Sequence, residues 1–592
     1  MRPDNPLIVQ SDRTLMLHTV RTVVDADGRP KKDADGRPVT EDHPRFAEAR
    51  DRLAPFSELE KSPDYLHTYR ISPISVWNAA SLEMTAEQIV ETLEDLSCVP
   101  VPQNVAQEIG EWMGRYGMLT IDRDGERFVL SARDPEILTD LLGHESISRL
   151  VSVEGDGRVT LDELARGSLK QALIKLGFPT VDRGGYLEGD PMAFELRAES
   201  LGGAPFGLRP YQEHAALAFH AGGTNLGGSG VVVLPCGAGK TVTGIAVMHL
   251  LQTKTLILTT NTVAVRQWKE ELLDKTHLGP DEVGEYTGET KDVKPVTIST
   301  YQMLTWRRSK TDGFEHFGLF GRENWGLIVY DEVHLLPAPI FRVTADIQAR
   351  RRLGLTATLV REDGREDEVF CLIGPKRYDV PWKVLEGQGF IAAASCVEVR
   401  VPMESALRSR YAGADARSKF RIASENPAKI GILEQLIGRH PDGRILVIGQ
   451  YIDQLERLSA HLKAPLITGK TPNAERERLY AAFKSGEERL LIVSKVGNFA
   501  IDLPDANVAI QVSGTFGSRQ EEAQRLGRIL RPKSDGSAAV FYSVVTHGSR
   551  DQEFSEKRQL FLTEQGYTYE IIDASRLGAP SGDGVVKPGA AQ

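Results

Sequence analysis

Residues 231–251 read VVVLPCGAGKTVTGIAVMHLL, an apolar run followed by a glycine-containing loop and a helical pattern. This order is typical of a buried strand that leads through a tight loop into a helix. The backbone amides of such a loop and the N-terminus of its helix bind phosphate. Gly237 and Gly239 would let the backbone approach phosphate closely. Lys240 would reach the β and γ oxygens of a triphosphate, and Thr241 would ligate Mg²⁺.

The loop departs from the strict phosphate-loop pattern at its first position, where this chain has Leu234 instead of Gly. An ordinary turn between a strand and a helix is the alternative. The apolar run before the loop and the Gly-Lys-Thr sequence within it favour phosphate binding. The predicted nucleotide-binding residues are Pro235, Cys236, Gly237, Ala238, Gly239, Lys240 and Thr241.

Further apolar runs alternate with helical segments along the chain. One series comprises VVVLP (231–235), TLILTT (255–260), VTIST (296–300), GLIVYD (326–331) and RLGLTAT (352–358). A second comprises RILVIGQ (444–450), LLIVS (490–494), VAIQVS (508–513) and AAVFYSV (538–544). Such runs suit strands buried on both faces of a parallel sheet covered by helices. The sequence therefore predicts an α/β fold with two parallel sheets in succession.

Asp331 and Glu332 follow one of these apolar runs, 91 residues after Lys240. In open α/β sheets, ligands bind at the carboxyl ends of the strands. Asp331 would hold Mg²⁺ through water, and Glu332 would orient or deprotonate an attacking water. Most acidic pairs are merely solvated, but the preceding strand favours a catalytic interpretation of this pair.

The segment SRQEEAQRLGRILRPK (518–533) presents Gln524, Arg528 and Arg531 at helical spacings of four and three. These side chains would share one face of a helix. Gly527, inside the same helix, indicates that another surface approaches closely. A solvated basic helix is the alternative, but arginines presented to a γ-phosphate would stabilise the charge of the transition state.

Composition excludes several classes of protein. The 592 residues contain 71 Lys and Arg against 82 Asp and Glu, a net charge of −11, which argues against a protein that is basic over its whole surface. The four cysteines form no CxxC pair, which argues against a zinc site or disulfide framework and fits a reducing cytoplasm. No run approaches the roughly 18 apolar residues of a membrane span, and no secretory signal is visible at the N-terminus.

The region before the phosphate loop has an α+β pattern. Thr85 would begin a helix, and residues 105–132 read as a helix that runs into a hairpin turned at Asp124-Gly125, similar to a winged-helix unit. The sequence DADGRP occurs twice, at 25–30 and 33–38, and is expected to form a solvated loop or hairpin insertion.

These motifs together resemble superfamily 2 helicases, and specifically the XPB family of DNA repair helicases in its bacterial form. The resemblance covers most of the chain and is densest over residues 208–572. LPCGAGKT (234–241) matches the XPB phosphate loop, including its leading Leu, and DEVH (331–334) resembles the family's box II. LRPYQ (208–212) is similar to the family's first motif, which implies that Arg209 and Gln212 contact the adenine of ATP.

The resemblance also implies residues that act on DNA. TNTVAVRQW (260–268) and ISTYQ (298–302) are similar to motifs that touch the DNA backbone, with Thr260, Arg266 and Thr300 as the expected contacts. LTAT (355–358) resembles the segment that couples hydrolysis to movement. Arg361, Glu362 and Asp363 match the RED motif linked in XPB to strand separation.

Two further motifs belong to the second predicted sheet. Residues 493–514 resemble motif V, with Gly497 and Asp502 aligned to positions that face nucleotide and DNA, although NFAID replaces the family's more common polar stretch. QRLGRILRP (524–532) resembles motif VI, which gives Arg528 and Arg531 the role of γ-phosphate fingers.

The expected domain organisation follows from these motifs: two tandem RecA-like parallel-sheet domains preceded by an α+β region. The expected parts are an N-terminal accessory domain (1–145), a small domain similar to the family's damage-recognition domain (146–205), the ATP-binding helicase domain (206–385), a linker with a short thumb-like segment (386–425), the C-terminal helicase domain (426–577) and a disordered tail (578–592).

The expected activity is that of an ATP-dependent 3′–5′ DNA helicase or translocase in DNA repair, with ATP and Mg²⁺ bound between the two RecA-like domains. Polarity and a repair role come only from the resemblance. The expected partners are forked or partly single-stranded DNA, bound without sequence preference, and a repair nuclease. The protein is expected to be a cytoplasmic, nucleoid-associated monomer. The alternatives are an RNA helicase, a duplex translocase that does not unwind, and a scaffold whose ATPase is inactive.

Overall fold

The computed structural model divides into two compact units, Met1–Leu385 and Glu386–Gln592. It describes residues 4–25, 29–33, 36, 38–61, 65–125, 127–155, 157–162, 165–185, 187–224, 227–309, 314–316, 318–336, 340, 344, 351–357, 366–392, 394–494, 506–514, 539–564 and 568–578. In the described residues, no helix is long and apolar enough to cross a membrane.

The first unit begins with a small α+β layer. Its strands are β1 (Leu7–Val9), β2 (Thr14–His18), β3 (Val20–Thr22), β4 (Thr40–Asp42), β5 (Glu58–Lys61) and β6 (Leu66–Arg70), and its helices are α1 (Phe46–Leu53), α2 (Pro73–Ser81), α3 (Ala86–Leu96) and α4 (Gln103–Arg115). The antiparallel sheet has the order β1-β2-β6-β5 and packs on the helices around a buried apolar core. Thr85 caps α3 in a capping box with Gln88, at the predicted helix start. The antiparallel pair β3–β4 flanks the segment that contains the DADGRP repeats, of which only Asp25, Arg29, Pro30, Asp33, Gly36 and Pro38 are described.

A second, mixed sheet follows. Its strands are β7 (Leu119–Asp124), β8 (Arg127–Ala132), β9 (Ser152–Val153), β10 (Val159–Leu161) and β11 (Thr180–Asp182), and its helices are α5 (Pro135–Leu142), α6 (Glu145–Ser148) and α7 (Arg166–Lys175). The predicted hairpin at Asp124-Gly125 is present, and Gly125 adopts the left-handed φ of 62° that the turn requires. The order β11-β7-β8-β10-β9 joins strands on both sides of the boundary predicted between residues 145 and 146. One core fills this sheet, so residues 119–182 form a single packed layer.

The rest of the first unit is built on a seven-stranded parallel sheet. Its elements are α8 (Pro210–His220), β12 (Ser229–Val233), α9 (Lys240–Leu251), β13 (Thr255–Thr259), α10 (Thr262–Lys275), β14 (Val283–Tyr286), β15 (Val296–Thr300), α11 (Tyr301–Leu304), α12 (Leu319–Arg322), β16 (Leu327–Asp331), β17 (Arg351–Thr356), α13 (Glu366–Leu372), β18 (Lys376–Asp379) and α14 (Trp382–Gly387). The strand order is β14-β15-β13-β16-β17-β12-β18. The five predicted apolar runs of the first series all form strands of this sheet, because side chains on both of its faces are buried.

The N-terminal layers pack directly on this sheet. The Asn78 side-chain oxygen accepts a 2.9 Å hydrogen bond from the backbone N–H of Lys376, and Trp77 enters the core of the parallel sheet. Gly326 permits a close backbone approach, since a Cβ there would lie 2.1 Å from the Glu188 carbonyl oxygen. The accessory layers and the first parallel sheet therefore form one unit.

The second unit contains another seven-stranded parallel sheet. Its elements are β19 (Ala394–Val401), α15 (Ser405–Ala412), α16 (Ala416–Ser424), α17 (Lys429–Arg439), β20 (Ile445–Ile448), α18 (Ile452–Leu462), β21 (Leu466–Ile467), α19 (Asn473–Ser485), β22 (Leu490–Val493), β23 (Val508–Gln511), β24 (Ala539–Thr546), α20 (Arg550–Glu564) and β25 (Thr568–Asp573). The strand order is β21-β22-β20-β23-β24-β19-β25. β19 lies inside this sheet although it falls in the segment predicted as a linker. The predicted α/β class with two tandem parallel sheets is confirmed.

Candidate active site

The predicted phosphate loop and carboxylate pair lie at the same edge of the first parallel sheet, on strands that are separated by one other strand. β12 leads into the loop, and Asp331 ends β16; β17, which ends at Thr356, lies between these two strands. Because all the strands are parallel, their carboxyl ends meet at this edge. The sheet therefore brings together residues that are about a hundred positions apart in the sequence.

The phosphate loop has the backbone conformation that its glycines predict. Gly237 and Gly239 both adopt left-handed φ values, 81° and 79°, which glycine reaches without strain. α9 begins directly after the loop at Lys240, so its N-terminus points its free amides toward the loop. Leu234, which breaks the strict pattern, is fully buried, and its N–H donates to the Thr356 carbonyl oxygen at 2.9 Å. The backbone pairing with β17 therefore continues one residue beyond β12, at a buried position that favours an apolar side chain.

The motif that begins α8 holds the phosphate loop. The Tyr211 hydroxyl and the Gln212 side-chain amide donate to the Ala238 carbonyl oxygen, at 2.6 and 3.1 Å. The carboxamide oxygen of Gln212 accepts the backbone N–H of Arg209 at 3.0 Å. A Cβ at Gly239 would lie 2.6 Å from the Gln212 amide nitrogen, and together with the left-handed φ this favours glycine there. Contact of Arg209 and Gln212 with an adenine stays a prediction.

The carboxylate pair faces the phosphate-loop lysine. A carboxylate oxygen of Glu332 lies 3.4 Å from Lys240 Nζ, and both side chains are largely buried. Glu332 itself adopts a left-handed backbone conformation, with φ 51° and ψ 53°. A non-glycine residue in this region is strained, and such residues cluster at functional sites where the surrounding structure holds them. The backbone strain at Glu332 is thus consistent with a catalytic position.

Burial and charge shift the ionisation of this cluster. Burial alone would lower the pKa of Lys240, but the adjacent carboxylates of Glu332 and Asp331 raise that pKa above its ordinary value. Burial first, and then the charge of Glu332, raise the pKa of Asp331. The lysine therefore stays cationic, whereas Asp331 is a carboxylate for which a cation nearby would be favourable.

His334 connects the carboxylate box to the predicted coupling segment. Its Nδ1 lies 2.8 Å from the Thr356 hydroxyl and 3.5 Å from a Glu332 carboxylate oxygen. His334 and Thr356 are both buried. A displacement of Glu332 would therefore be transmitted through His334 to the end of β17, directly before residues 357–363.

The predicted DNA-contacting residues lie at the same edge. Thr260 follows β13, and its hydroxyl accepts a 3.2 Å hydrogen bond from Asn261. Thr300 ends β15 and caps α11 by accepting the Met303 N–H at 3.0 Å. Arg266 on α10 lies on the surface, 3.3 Å from the Glu289 carboxylate. These three residues stay predictions as DNA contacts, although the sheet gathers them beside the nucleotide motifs.

Several predicted site residues lie outside the described residues. They are Arg361, Glu362, Asp363, Gly497, Asp502, Gln524, Arg528 and Arg531. The tail predicted to be disordered also lies outside the described residues from position 579 onward.

Comparison with known protein families matches three stretches of the chain. Residues 385–581 match the family described as ERCC3/RAD25/XPB C-terminal helicase, and residues 205–361 match the family described as type III restriction enzyme, res subunit. A protein of Kineococcus radiotolerans named DNA 3′-5′ helicase XPB is 50% identical over 98% of this chain and 99% of its own length. The chain belongs to the XPB family of helicases. The two parallel sheets are accordingly the RecA-like domains of an XPB helicase.

Two further relatives also carry the XPB name. The Mycobacterium tuberculosis DNA 3′-5′ helicase XPB is 50% identical over 98% of this chain and 100% of its own length. The Antonospora locustae XPB subunit of general transcription and DNA repair factor IIH is 35% identical over 89% of this chain and 79% of its own length. Residues 33–155 match a family described as helicase conserved C-terminal domain, yet in this chain they fall in the N-terminal antiparallel and mixed sheets.

Trp268 is a site residue that motif reading missed, although it ends the quoted segment TNTVAVRQW. Its indole Nε1–H donates to a carboxylate oxygen of Asp331 at 3.0 Å, and the side chain is fully buried. The ring packs against α9, where a Cβ at Gly244 would lie 2.6 Å from it. The contact between Trp268 and Gly244 leaves no local sequence signal, because the two positions are 24 residues apart. Trp268 thus links the phosphate-loop helix to the carboxylate box of this XPB family member.

Proposed function

We propose that this chain is an ATP-dependent 3′–5′ DNA helicase that couples ATP hydrolysis to strand separation. The observation that carries the proposal is the contact between Lys240 and Glu332, which brings the phosphate loop and the carboxylate box together at one sheet edge. Motif spacing alone leaves that contact open. Phosphoryl transfer depends chiefly on positioning and electrostatic stabilisation, and this cluster offers both.

The residues present fit a magnesium nucleotide. The loop glycines clear space for phosphate, and Lys240 supplies a buried cation for the β and γ oxygens. Thr241 and Asp331 offer hydroxyl and carboxylate oxygens, the ligands that Mg²⁺ prefers. Mg²⁺ in such sites keeps several waters and binds substrate phosphates, so two protein ligands suffice. When bound, Mg²⁺ would neutralise charge on the β and γ oxygens.

Glu332 is the proposed base or water-positioning group. Its carboxylate faces the lysine that would hold the γ-phosphate, which is where an attacking water would need to be oriented. An incoming γ-phosphate would compete with Glu332 for Lys240. The carboxylate would then be freed to act on water while His334 relays its position toward Thr356.

DNA is proposed to bind along the carboxyl edge of the sheet, where Thr260, Thr300 and Arg266 lie. Contacts to the phosphate backbone fix position without reading sequence, so binding is expected to be non-specific and salt-dependent. A role in DNA repair, monomeric action at the nucleoid and cooperation with a nuclease are proposed with the family resemblance as their support. The γ-phosphate roles of Arg528 and Arg531 rest on the same resemblance.

Two substitutions test the site assignment. Lys240→Ala should abolish nucleotide binding and hydrolysis together, because it removes the cation for the phosphates. Glu332→Gln should abolish hydrolysis yet retain or tighten nucleotide binding, because Lys240 loses its competing carboxylate. Binding of a fluorescent ATP analogue and DNA-stimulated phosphate release would be measured for each variant. Retained hydrolysis in both variants would refute the assignment.

The choice of nucleic acid tests the remaining alternatives. Hydrolysis should be stimulated by DNA and much less by RNA of the same length. Equal or greater stimulation by RNA would favour an RNA helicase. A wild-type protein with no measurable turnover would favour the inactive scaffold.

A further inference from the structure

Trp306 is an exposed aromatic residue beside the predicted DNA-contacting motif. All six tryptophans fall within the described residues: four are buried, Trp112 is half-buried, and Trp306 alone is exposed, at 44%. It follows α11, the short helix that Thr300 caps at the carboxyl end of β15. Tryptophan is highly buried on average, and an exposed aromatic residue in a loop at a functional edge favours a binding role.

Other rings extend inward from Trp306. The His316 ring lies 6.0 Å from the Trp306 ring, centroid to centroid, with an interplanar angle of 39°. Its Nδ1 lies 3.0 Å from the Tyr286 hydroxyl, and the two rings are 5.7 Å apart. Tyr286 ends β14 and is buried. The row Tyr286–His316–Trp306 thus fixes an exposed indole to the end of the sheet.

Cations surround this row of rings. Lys291 Nζ lies 4.8 Å from the centre of the Tyr286 ring, and the Arg322 guanidinium lies 6.0 Å from the same ring. The Arg307 guanidinium lies 5.2 Å from the Phe314 ring, and Arg308 pairs with Glu315 at 2.8 Å. Four cations around these rings contrast with a chain of net charge −11. We call Tyr286, Lys291, Trp306, Arg307, Arg308, Phe314, His316 and Arg322 the Trp306 patch.

The imidazole in this patch is favoured in its neutral form. Burial, and then the nearby charge of Lys291, lower the pKa of His316. A neutral ring beside the indole presents a stacking surface, while the positive charge is carried by lysine and arginine. The patch therefore combines flat rings with separate cations, as single-strand binding surfaces do.

We propose that the Trp306 patch binds single-stranded DNA, with an unpaired base stacked on the Trp306 indole and the flanking phosphates contacted by Arg307 and Arg308. The inference rests on the proposed helicase function and adds base stacking to its expected backbone contacts. Single-stranded DNA is favoured as the occupant because its bases match the rings, its phosphates match the cations, and Thr300 lies at the same strand end. Base stacking tolerates any sequence, since every base has a flat face.

The test compares single strands with and without bases. Trp306→Ala should weaken binding of a dT oligonucleotide of about 15 nucleotides by about 5- to 150-fold, the range for loss of one base–aromatic stack. Trp306→Tyr should restore most of the affinity, because tyrosine also stacks. An abasic strand of the same length should bind Trp306→Ala and wild type equally. Arg307→Ala should weaken binding of both the dT and the abasic strand and reduce the salt dependence of binding, because it removes a phosphate contact.

A matched substitution, a stability measurement and a fluorescence measurement separate stacking from a folding defect. Tyr65→Ala removes another exposed aromatic residue, 67% exposed on the N-terminal layer, and should leave dT affinity unchanged. Urea unfolding should give the same midpoint for Trp306→Ala as for wild type. The difference between wild-type and Trp306→Phe tryptophan fluorescence should be quenched by dT and not by the abasic strand.

The outcomes separate this inference from the proposed function. If wild type binds dT and DNA stimulates its ATPase, but Trp306→Ala binds dT as tightly, the patch inference is wrong and the exposed ring serves another partner. If Trp306→Ala loses affinity equally for dT and abasic strands, stacking is refuted. If wild type neither binds DNA nor responds to it, the helicase proposal and this inference both fail.

Discussion

Replacement of Trp268 by Phe tests whether the indole positions Asp331 for catalysis. The variant keeps a buried aromatic ring but removes the Nε1–H that donates to Asp331 at 3.0 Å. Trp325→Phe is a matched control, because Trp325 is also fully buried in the first unit and its Nε1–H donates to the Leu319 carbonyl oxygen at 2.9 Å. Both variants lose one ring and one hydrogen bond, so their comparison isolates the contact with the carboxylate.

The magnitude follows from the charge of the acceptor. A hydrogen bond to a charged group contributes about 1.5–3 kcal/mol, against about 0.5–1.5 kcal/mol for a neutral carbonyl. The bond from Trp268 lowers the pKa of Asp331, which burial and then Glu332 raise. Without that donor, the carboxylate would be freer to rotate and would hold a proton at higher pH. The Mg²⁺ concentration for half-maximal hydrolysis should therefore rise by about tenfold or more, up to the ~150-fold equivalent of 3 kcal/mol.

The assay is ATP hydrolysis as a function of Mg²⁺ at saturating ATP, repeated across pH. Trp268→Phe should need more Mg²⁺ than wild type. As the pH is lowered, its activity should be lost at a higher pH than that of wild type, because a raised pKa lets Asp331 become protonated at that higher pH. Binding of a fluorescent ATP analogue without Mg²⁺ should change little, which separates metal positioning from loss of the pocket. The reasoning is refuted if Trp268→Phe and Trp325→Phe show the same Mg²⁺ and pH dependence.

Three further substitutions test other parts of the account. Thr356→Val should lower DNA stimulation of hydrolysis by roughly tenfold, because it removes the 2.8 Å partner of the box II histidine. Thr297→Val, which removes a buried threonine hydroxyl from another strand of the same sheet, should not lower it; steady-state ATPase with and without DNA measures both. Asp182→Asn should destabilise the protein by about 3–5 kcal/mol in urea unfolding, since two buried cations lose their carboxylate, whereas Glu145→Gln, in an exposed pair, should cost under about 1 kcal/mol. Burial alone would raise the pKa of Asp182, but those cations lower it to about 2, so its contribution should persist above the ordinary pKa and be lost as pH falls toward 2. Arg361→Ala should impair unwinding of forked DNA more than hydrolysis, and an equal loss would count against a strand-separating role.

Local sequence signals were sufficient for the phosphate loop. Two glycines between an apolar run and a helical pattern predict a left-handed turn, and both glycines have that conformation. The strict pattern failed only at Leu234, which directly follows β12 and is buried, so that this position favours an apolar side chain. The resemblance to the XPB phosphate loop, which has Leu at this position, predicts the same residue.

Long-range pairing explains what the sequence left open. β19 reads ASCVEVRV and carries the buried Glu398, in a segment that the sequence predicted as a linker. Within the second unit that carboxylate accepts hydrogen bonds from Ser555 and Tyr569, both more than 150 residues away. Arg400, two residues along the strand, also pairs with Glu398 at 2.9 Å, but no local pattern reveals the two distant hydroxyl partners that a buried acid needs.

The N-terminal boundary shows the same limit. Residues 146–205 differ in pattern from those before them, yet β11 pairs with β7 and β10 pairs with β8. The change in sequence pattern at this position indicates a change of local structure. The sheet, however, is formed by strands that pair across this position. Trp268 and Asp331 illustrate this for the site, since their contact joins positions 63 apart in the sequence.

Strand separation on tailed DNA tests the central claim most directly. A fork with a 3′ single-stranded tail and one with a 5′ tail would be incubated with wild type or Glu332→Gln, with ATP or a non-hydrolysable analogue. The account predicts that wild type separates the strands only with ATP and preferentially on the 3′-tailed fork, and that Glu332→Gln separates neither. DNA-stimulated hydrolysis without strand separation on either fork would contradict the helicase function and favour a duplex translocase.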